Sequence, residues 1–407
     1  MKVLNGAIGC LCVLIYLTTA GWSAEGISSV VKGNNDLALE LYAILDAKPE
    51  PGASGSVFAP YAIAKSLAMV YSGAKENTAL QMVQAMHMKI GSERFHKAFA
   101  SLSASLESSA VSTGYDLAGF NALFVQEGYS FQKEFLIVQD NVYGILPVGL
   151  DFASSPQAQR TAINRRLEGE TNNMIKGFLE PGMVTDTTRM LLVSAMYFKG
   201  QWESAFDPAL TFKADFVRPA GLPTSRAMFM TTNAEFRYGE DSETQLLELP
   251  YIGRKFSMLI ILPRVASAFS VLEKNLTPAS FEQYLTKLRL RKIHVEIPRF
   301  KAETTLRLNS ALQALGVTDA FDDSRADFSG MDGNRDLYIS QVLHKACVEV
   351  DEGGPDAGAL ARHAAADRAA QLPVFRADHP FLFMVRDNAT GSILFLGRVI
   401  DPGLGNL

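Results

Sequence analysis

Apolar residues in the first part of the chain recur at helical spacing, and those further on fall into alternating or short continuous runs. Asn35-Asp-Leu-Ala-Leu-Glu-Leu-Tyr-Ala-Ile-Leu45 has its apolar side chains three and four apart, with Asn35 or Asp36 as the cap. Pro49, Pro51 and Gly52 break that helix. Ser56 to Phe58 reads as a short strand, and Pro60 then opens an apolar helix through Tyr71. Thr78 to Met88 and Glu93 to Leu106 give two further helices. Strands are predicted over Tyr115 to Val125, Leu191 to Phe198, Leu246 to Leu249, Met258 to Leu262 and Lys292 to Ile297. Helices followed by strands describe an α+β protein and not a repeating βαβ one.

One stretch does not fit this alternation. A strand-like run, His344-Lys-Ala-Cys-Val-Glu-Val-Asp351, leads into the segment from Glu352 to Gln371, and a second apolar run starts near Leu372. The segment between has no Phe, Tyr or Trp, and Leu360 is its one large aliphatic residue, so it cannot anchor itself in a core. Loops of that length inside a compact protein are uncommon and are usually functional or disordered. Arg368, in the outer half, is suitable bait for a trypsin-like protease, and the small residues around it suit entry into a sheet.

Composition narrows the class. The chain has 407 residues, 48% of them hydrophobic and 20% charged, which describes a soluble globular protein with ample core. No linker or repeat divides it, so one large domain over 28–403 is expected. Formal net charge is -5, which argues against a general nucleic-acid binder. The opening residues read as a secretory signal: Lys2, an apolar stretch from Ala7 to Leu17, then Thr18-Thr-Ala20, with cleavage after Ala20 or Ser23. That apolar stretch is shorter than the ~20 residues that span a bilayer. The expectation is a secreted, extracellular protein whose signal peptide occupies residues 1–20 and which has no membrane span. Cys10 and Cys12 leave with the signal, so Cys347 is alone, forms no intrachain disulfide and reads as an inert strand residue. Asn275-Leu-Thr277 and Asn388-Ala-Thr390 are glycosylation sequons, the first weakened by Pro278.

No catalytic constellation is visible: there is no nucleophile elbow, phosphate loop or dinucleotide fingerprint. The six histidines (87, 96, 294, 344, 363 and 379) lack the spacing with Cys or carboxylates that a metal site requires. Neither an enzyme, a metal site nor a cofactor is expected. A basic cluster, Lys287, Arg289, Arg291 and Lys292, reads as a solvated face at a helix end, with a sulfated polysaccharide as its alternative partner.

Several long motifs resemble the serpin family. They are Leu192-Val-Ser-Ala-Met-Tyr-Phe-Lys-Gly-Gln-Trp-Glu-Ser-Ala-Phe206, Leu249-Pro-Tyr-Ile-Gly253, Ser257-Met-Leu-Ile-Ile-Leu-Pro263 and Ile297-Pro-Arg-Phe-Lys301. Near the end, Asp378-His-Pro-Phe-Leu-Phe-Met-Val-Arg386 and Gly391-Ser-Ile-Leu-Phe-Leu-Gly-Arg398 resemble the family's C-terminal signature. The resemblance implies a serpin fold of three β-sheets with about nine helices, monomeric, with an exposed reactive loop at about 352–374. It also implies a suicide mechanism. A serine protease attacks the loop, forms an acyl-enzyme, and is dragged away when the cut loop inserts into a sheet as a new strand. The inhibitor supplies no catalytic group.

The family's usual loop length places the reactive bond at Arg368-Ala369. A guanidinium pairs bidentately with the carboxylate at the bottom of a trypsin-like pocket. Arg362 comes six positions too early, and Asp367 beside the bait disfavours a thrombin-like target. The hinge runs through Glu352, Gly353, Gly354, Pro355, Asp356, Ala357, Gly358 and Ala359. Ala357, Ala359 and Ala361 share one face of the prospective strand, and Asp356, Gly358, Leu360 and Arg362 the other. The sheet-opening region maps to Ser194, Trp202, Arg299 and His344, with Arg299 able to pair with Glu352.

Two positions depart from the family pattern. Pro355 stands where inhibitory members usually carry Thr or Ser, and Pro has no N–H for a sheet ladder. Under the sheet, Ala59 and Ala62 join Ser194 and His344 where two serines and an asparagine are typical. The implied function is a secreted inhibitor trapping a trypsin-like serine protease. A serpin that does not trap (a protease substrate, carrier or binding protein) is the alternative that Pro355 favours.

Overall fold

The computed structural model describes residues 24–45, 53–107, 114–219, 222–353 and 372–403. The signal-peptide residues, Gly354 to Ala359 of the hinge, Arg362, Arg368 and Ala369 lie outside the described residues. Those described contain ten α-helices and fourteen strands. In chain order the strands are β1 (Gly55–Phe58), β2 (Tyr115–Gln126), β3 (Val148–Leu150), β4 (Met190–Gly200), β5 (Phe212–Phe216), β6 (Ser225–Glu240) and β7 (Thr244–Pro250). They continue with β8 (Phe256–Pro263), β9 (Arg289–Pro298), β10 (Phe300–Arg307), β11 (Ile339–Val350), β12 (Val374–Arg376), β13 (Phe381–Asp387) and β14 (Ile393–Val399). Among the described helices none is long and apolar enough to cross a membrane.

Hydrogen bonding links the strands into one path that narrows at two places. The central group runs β3-β2-β4-β11-β10, and a second group runs β1-β14-β13-β8-β7. They meet through one register pair, Gly55↔Ala302, at the start of β1. A Cβ at Gly55 would lie 1.9 Å from the Arg398 carbonyl oxygen, so only glycine fits that crossing. The third group is β5, β6, β9 and β12, and the long β6 passes from it to β7 over Arg237 to Glu240. Three groups of strands joined at two junctions, with helices alongside, make an α+β architecture.

The central group has one feature that matters for function. β2 pairs with β4, and β10 with β11, antiparallel, but β4 and β11 lie parallel from Met190↔Ile339 to Lys199↔Glu349. Parallel pairing is slightly weaker per residue than antiparallel. Both faces of this sheet are covered. One packs Leu192, Met196, Phe198, Val342, Ala346 and Val348 into the main core. The other packs Phe120, Val193, Tyr197, Leu343 and Cys347 against Ile163 and Leu167 of the Pro156–Glu170 helix. Coverage on both faces is why Leu191 to Phe198 reads as a continuous apolar run.

The Pro60–Tyr71 helix has the limits expected from Pro60 and the apolar spacing. The first helix does not: it spans Ala24–Ile44, so Asn35 and Asp36 lie inside it and cap nothing. Asn34 and Asn35 instead reach the start of β14. The Asn34 amide donates to Ile393 O at 3.0 Å, Asn35 donates to Gly391 O at 3.0 Å, and Asn35 Oδ1 accepts the Ile393 N–H at 2.9 Å.

Candidate functional site: the hinge and the seam of the central sheet

Beyond Val350, the chain leaves β11 through three residues, each held differently. Asp351 is held at three of its oxygens. Its carbonyl accepts Trp202 Nε1 at 2.8 Å, Oδ1 accepts the Gly353 N–H at 2.8 Å, and Oδ2 faces Lys199 Nζ at 2.7 Å. Trp202 is fixed in turn by stacking on Tyr251, with ring centroids 4.4 Å apart and an interplanar angle of 15°. Glu352 is buried, and its Oε1 accepts Arg299 Nε at 2.8 Å and the Thr211 hydroxyl. A buried carboxylate needs such partners, because desolvation alone would cost several kcal/mol. Gly353 has φ of 98°, a backbone conformation that favours glycine.

A polar row lies midway down the same sheet. Asn121, Ser194 and His344 are successive register partners across β2, β4 and β11, and the row ends at apolar Leu306 on β10. His344 is fully buried; Nδ1 and Ser194 Oγ are 2.8 Å apart, and Nε2 accepts the Ala59 N–H at 2.9 Å. Burial pushes its pKa down to about 3, so the ring is neutral. With Nε2 accepting, the proton belongs on Nδ1, which donates to Ser194. Asn121 was not singled out from the sequence. Its Nδ2 donates to Ala62 O and to Ser66 Oγ, both at 2.8 Å. The alanines at 59 and 62 thus enter the network through backbone groups, and Asn121 and Ser66 supply side chains that those positions lack.

The outer face of the sheet carries charge above the helix that covers it. Lys345 lies 2.9 Å from Glu303, Lys301 is 2.9 Å from Glu303 and 3.8 Å from Glu349, and Lys199 is 3.8 Å from Glu349. Burial would lower the Lys199 pKa, but the Asp351 bond and the field of Asp351 and Glu349 outweigh it and hold the ammonium above its ordinary range. Cys347 is buried below this layer, and desolvation, reinforced by Glu303, pushes its thiol up to about 12. It is a protonated, inert thiol at neutral pH.

Four of the residues picked from the sequence therefore gather at β11: His344 on the strand and Ser194 beside it at the middle, Trp202 and Arg299 at the top. Asn275 is exposed. Asn388 is exposed but engaged, donating Nδ2 to Arg254 O at 2.8 Å and accepting Ser257 Oγ at 2.6 Å. Lys287 ends the Pro278–Lys287 helix and pairs with Asp241, whereas Arg289, Arg291 and Lys292 open β9 in exposed positions.

Residues 32–402 match the family model described as "Serpin (serine protease inhibitor)". The human leukocyte elastase inhibitor is 37% identical over 91% of this chain and 98% of its own length. Human Serpin B8 is 35% identical over 92% of this chain and 100% of its own. Among solved structures, uncleaved ovalbumin superposes with a TM-score of 0.83 at 30% identity, covering 92% of this chain and 100% of that one. Native protease nexin-1 with heparin superposes with a TM-score of 0.82 at 27% identity, covering 92% and 100%. These relatives overturn the secreted, extracellular placement read from the opening residues. The two human proteins are matched over nearly all of their own length while the family match here begins at residue 32, so they carry no counterpart of a signal peptide. The secreted placement therefore does not stand.

Proposed function

The chain belongs to the serpin family, and we propose that it traps a trypsin-like serine protease by suicide cleavage at Arg368-Ala369. Serine protease inhibition, and not enzymatic turnover, is the activity in the family's description, and relatives are named as inhibitors. What carries the choice of target is the basic residue at the bait position. Its planar fork suits a carboxylate at the base of a specificity pocket, whereas the small pocket of an elastase does not admit a guanidinium. The relatives' name therefore does not transfer to this chain's target.

The trap needs a place for the cut loop, and the parallel pair β4 and β11 supports one. A strand arriving from the end of β11 would run antiparallel to both, replacing one parallel ladder with two antiparallel ones. In this reading Ser194, His344, Trp202 and Arg299 form the sheet-opening region, and Glu352 and Gly353 begin the hinge. A second reading, a serpin that is cut without trapping, is favoured by Pro355, which removes one ladder donor from the entering strand. For a sulfated polysaccharide, three of the four basic cluster residues stand exposed in β9, with Lys287 already facing Asp241.

Incubating the full chain with trypsin and, in parallel, with an elastase tests the proposal. A covalent complex with trypsin that survives a denaturing gel, and a released peptide beginning at Ala369, is the expected result. A complex with the elastase alone overturns the trypsin-like assignment, and cleavage by trypsin without complex favours the second reading.

A further inference from the structure

For a strand to enter between β4 and β11 the two must part, so side-chain contacts that cross their seam resist the opening. Arg299 and Glu352 do not cross it: Arg299 directly precedes β10, which lies on the far side of β11. Lys345 to Glu303 and Lys301 to Glu349 likewise tie β11 to β10. Ser194 to His344 crosses at mid-height, and the Trp202 indole crosses at the top to the Asp351 carbonyl. Among the described ion pairs, those joining β4 to the end of β11 belong to Lys199, which reaches Asp351 at 2.7 Å and Glu349 at 3.8 Å.

The carboxylate that Lys199 holds has a second task. Asp351 Oδ1 accepts the N–H of Gly353, which stands at positive φ three residues past the end of β11. One ammonium therefore clamps the seam and steadies the carboxylate that holds Gly353. Asp116, its register partner on β2, draws Lys199 the other way, so freeing it from Asp351 leaves it another counter-ion.

We propose that Lys199 is the latch of the central sheet, a positioning residue that holds the β4–β11 seam closed through Asp351 and so sets how readily the cut loop enters. This rests on the insertion reading given above. The pair is partly solvated, with 34% of the Lys199 side chain and 21% of the Asp351 side chain exposed, so the latch is a modest and salt-sensitive one.

Amide hydrogen exchange on the uncleaved full chain tests the latch without a protease. In Lys199→Met, exchange at Cys347 to Glu352 should quicken roughly two- to fivefold at low salt, with amides elsewhere unchanged. Wild type should approach the variant as salt rises from about 0.05 M to about 0.5 M. Lys199→Arg should restore protection, and Asp351→Asn should quicken exchange as Lys199→Met does. With trypsin, Lys199→Met should also consume fewer inhibitor molecules per protease inactivated. Wild-type exchange in Lys199→Met at low salt overturns the latch, even if the protein traps trypsin. The expected exchange pattern in a protein that never traps upholds the latch and removes the trapping function instead.

Discussion

The backbone N–H of Ala59 donates to Nε2 of His344 at 2.9 Å, tying the start of the Pro60–Tyr71 helix to the middle of the central sheet. The bond exists only while Nε2 is unprotonated. Because burial holds His344 down to about pKa 3, against about 6.5 for an unperturbed histidine, the neutral ring persists well into acid.

The sign of the pH dependence follows. Between about pH 6.5 and about pH 3 the unfolded chain binds a proton at His344 that the folded chain does not, so stability rises with pH across that window. The contribution is complete above the unfolded pKa and is lost as pH falls towards the folded one, at a slope of at most about 1.4 kcal/mol per unit. His344→Asn should be less stable near neutrality by roughly 1–3 kcal/mol, yet lose stability less steeply on acidification. His96, which burial lowers to about 4, titrates in the same window but is common to both proteins. Urea midpoints measured at a series of pH values decide the matter; parallel slopes would remove His344 as the acid-sensitive group.

Asn121→Ala removes two donated bonds beneath β2 and leaves the Ala62 carbonyl and Ser66 hydroxyl short of a partner. The expected loss is roughly 1–3 kcal/mol of unfolding free energy. An unchanged denaturation midpoint would show that water replaces the amide and that the network does not depend on Asn121.

That residue shows how far the sequence was legible. Leu117, Gly119, Asn121, Leu123 and Val125 share one side of β2 by period two, and an asparagine on a row ending in buried Leu123 and Val125 is a readable signal. The Pro60 helix was readable because proline, spacing and length agree. The Pro156–Glu170 helix was not, since only Ile163 and Leu167 are buried along it; it exists because the sheet's outer face needs cover. β6 was missed for a related reason: it is half exposed, with Thr231, Asn233 and Glu235 interrupting its apolar residues. Trp202, Arg299 and His344 were named through family motifs, but Lys199 and Asp351, far apart in sequence, meet only through the parallel register of β4 and β11.

Arg368→Ala should abolish reaction with trypsin-like proteases while leaving the fold intact, since the substitution removes the only group at the bait position with the right chemistry. Circular dichroism checks the fold, and N-terminal sequencing of the peptide released from wild type checks the bond. A product beginning at His363 would move the bait to Arg362.

Pro355→Thr addresses the choice between trapping and simple cleavage. In the proposed mechanism Pro355 is the first hinge residue to enter between β4 and β11, and threonine restores the ladder donor that proline lacks. The bond is worth only about 0.5–1.5 kcal/mol net. Trapping is a race between insertion and deacylation, however, and about 1.4 kcal/mol on the insertion barrier changes the outcome tenfold. The number of inhibitor molecules consumed per trypsin inactivated should therefore fall towards one in Pro355→Thr. Proline is tolerated at the first residue of a strand, which offers the wild type a way around the penalty. An equal number for wild type and variant would place Pro355 at that tolerant position, and a wild-type value already near one would remove the main support for a serpin that does not trap.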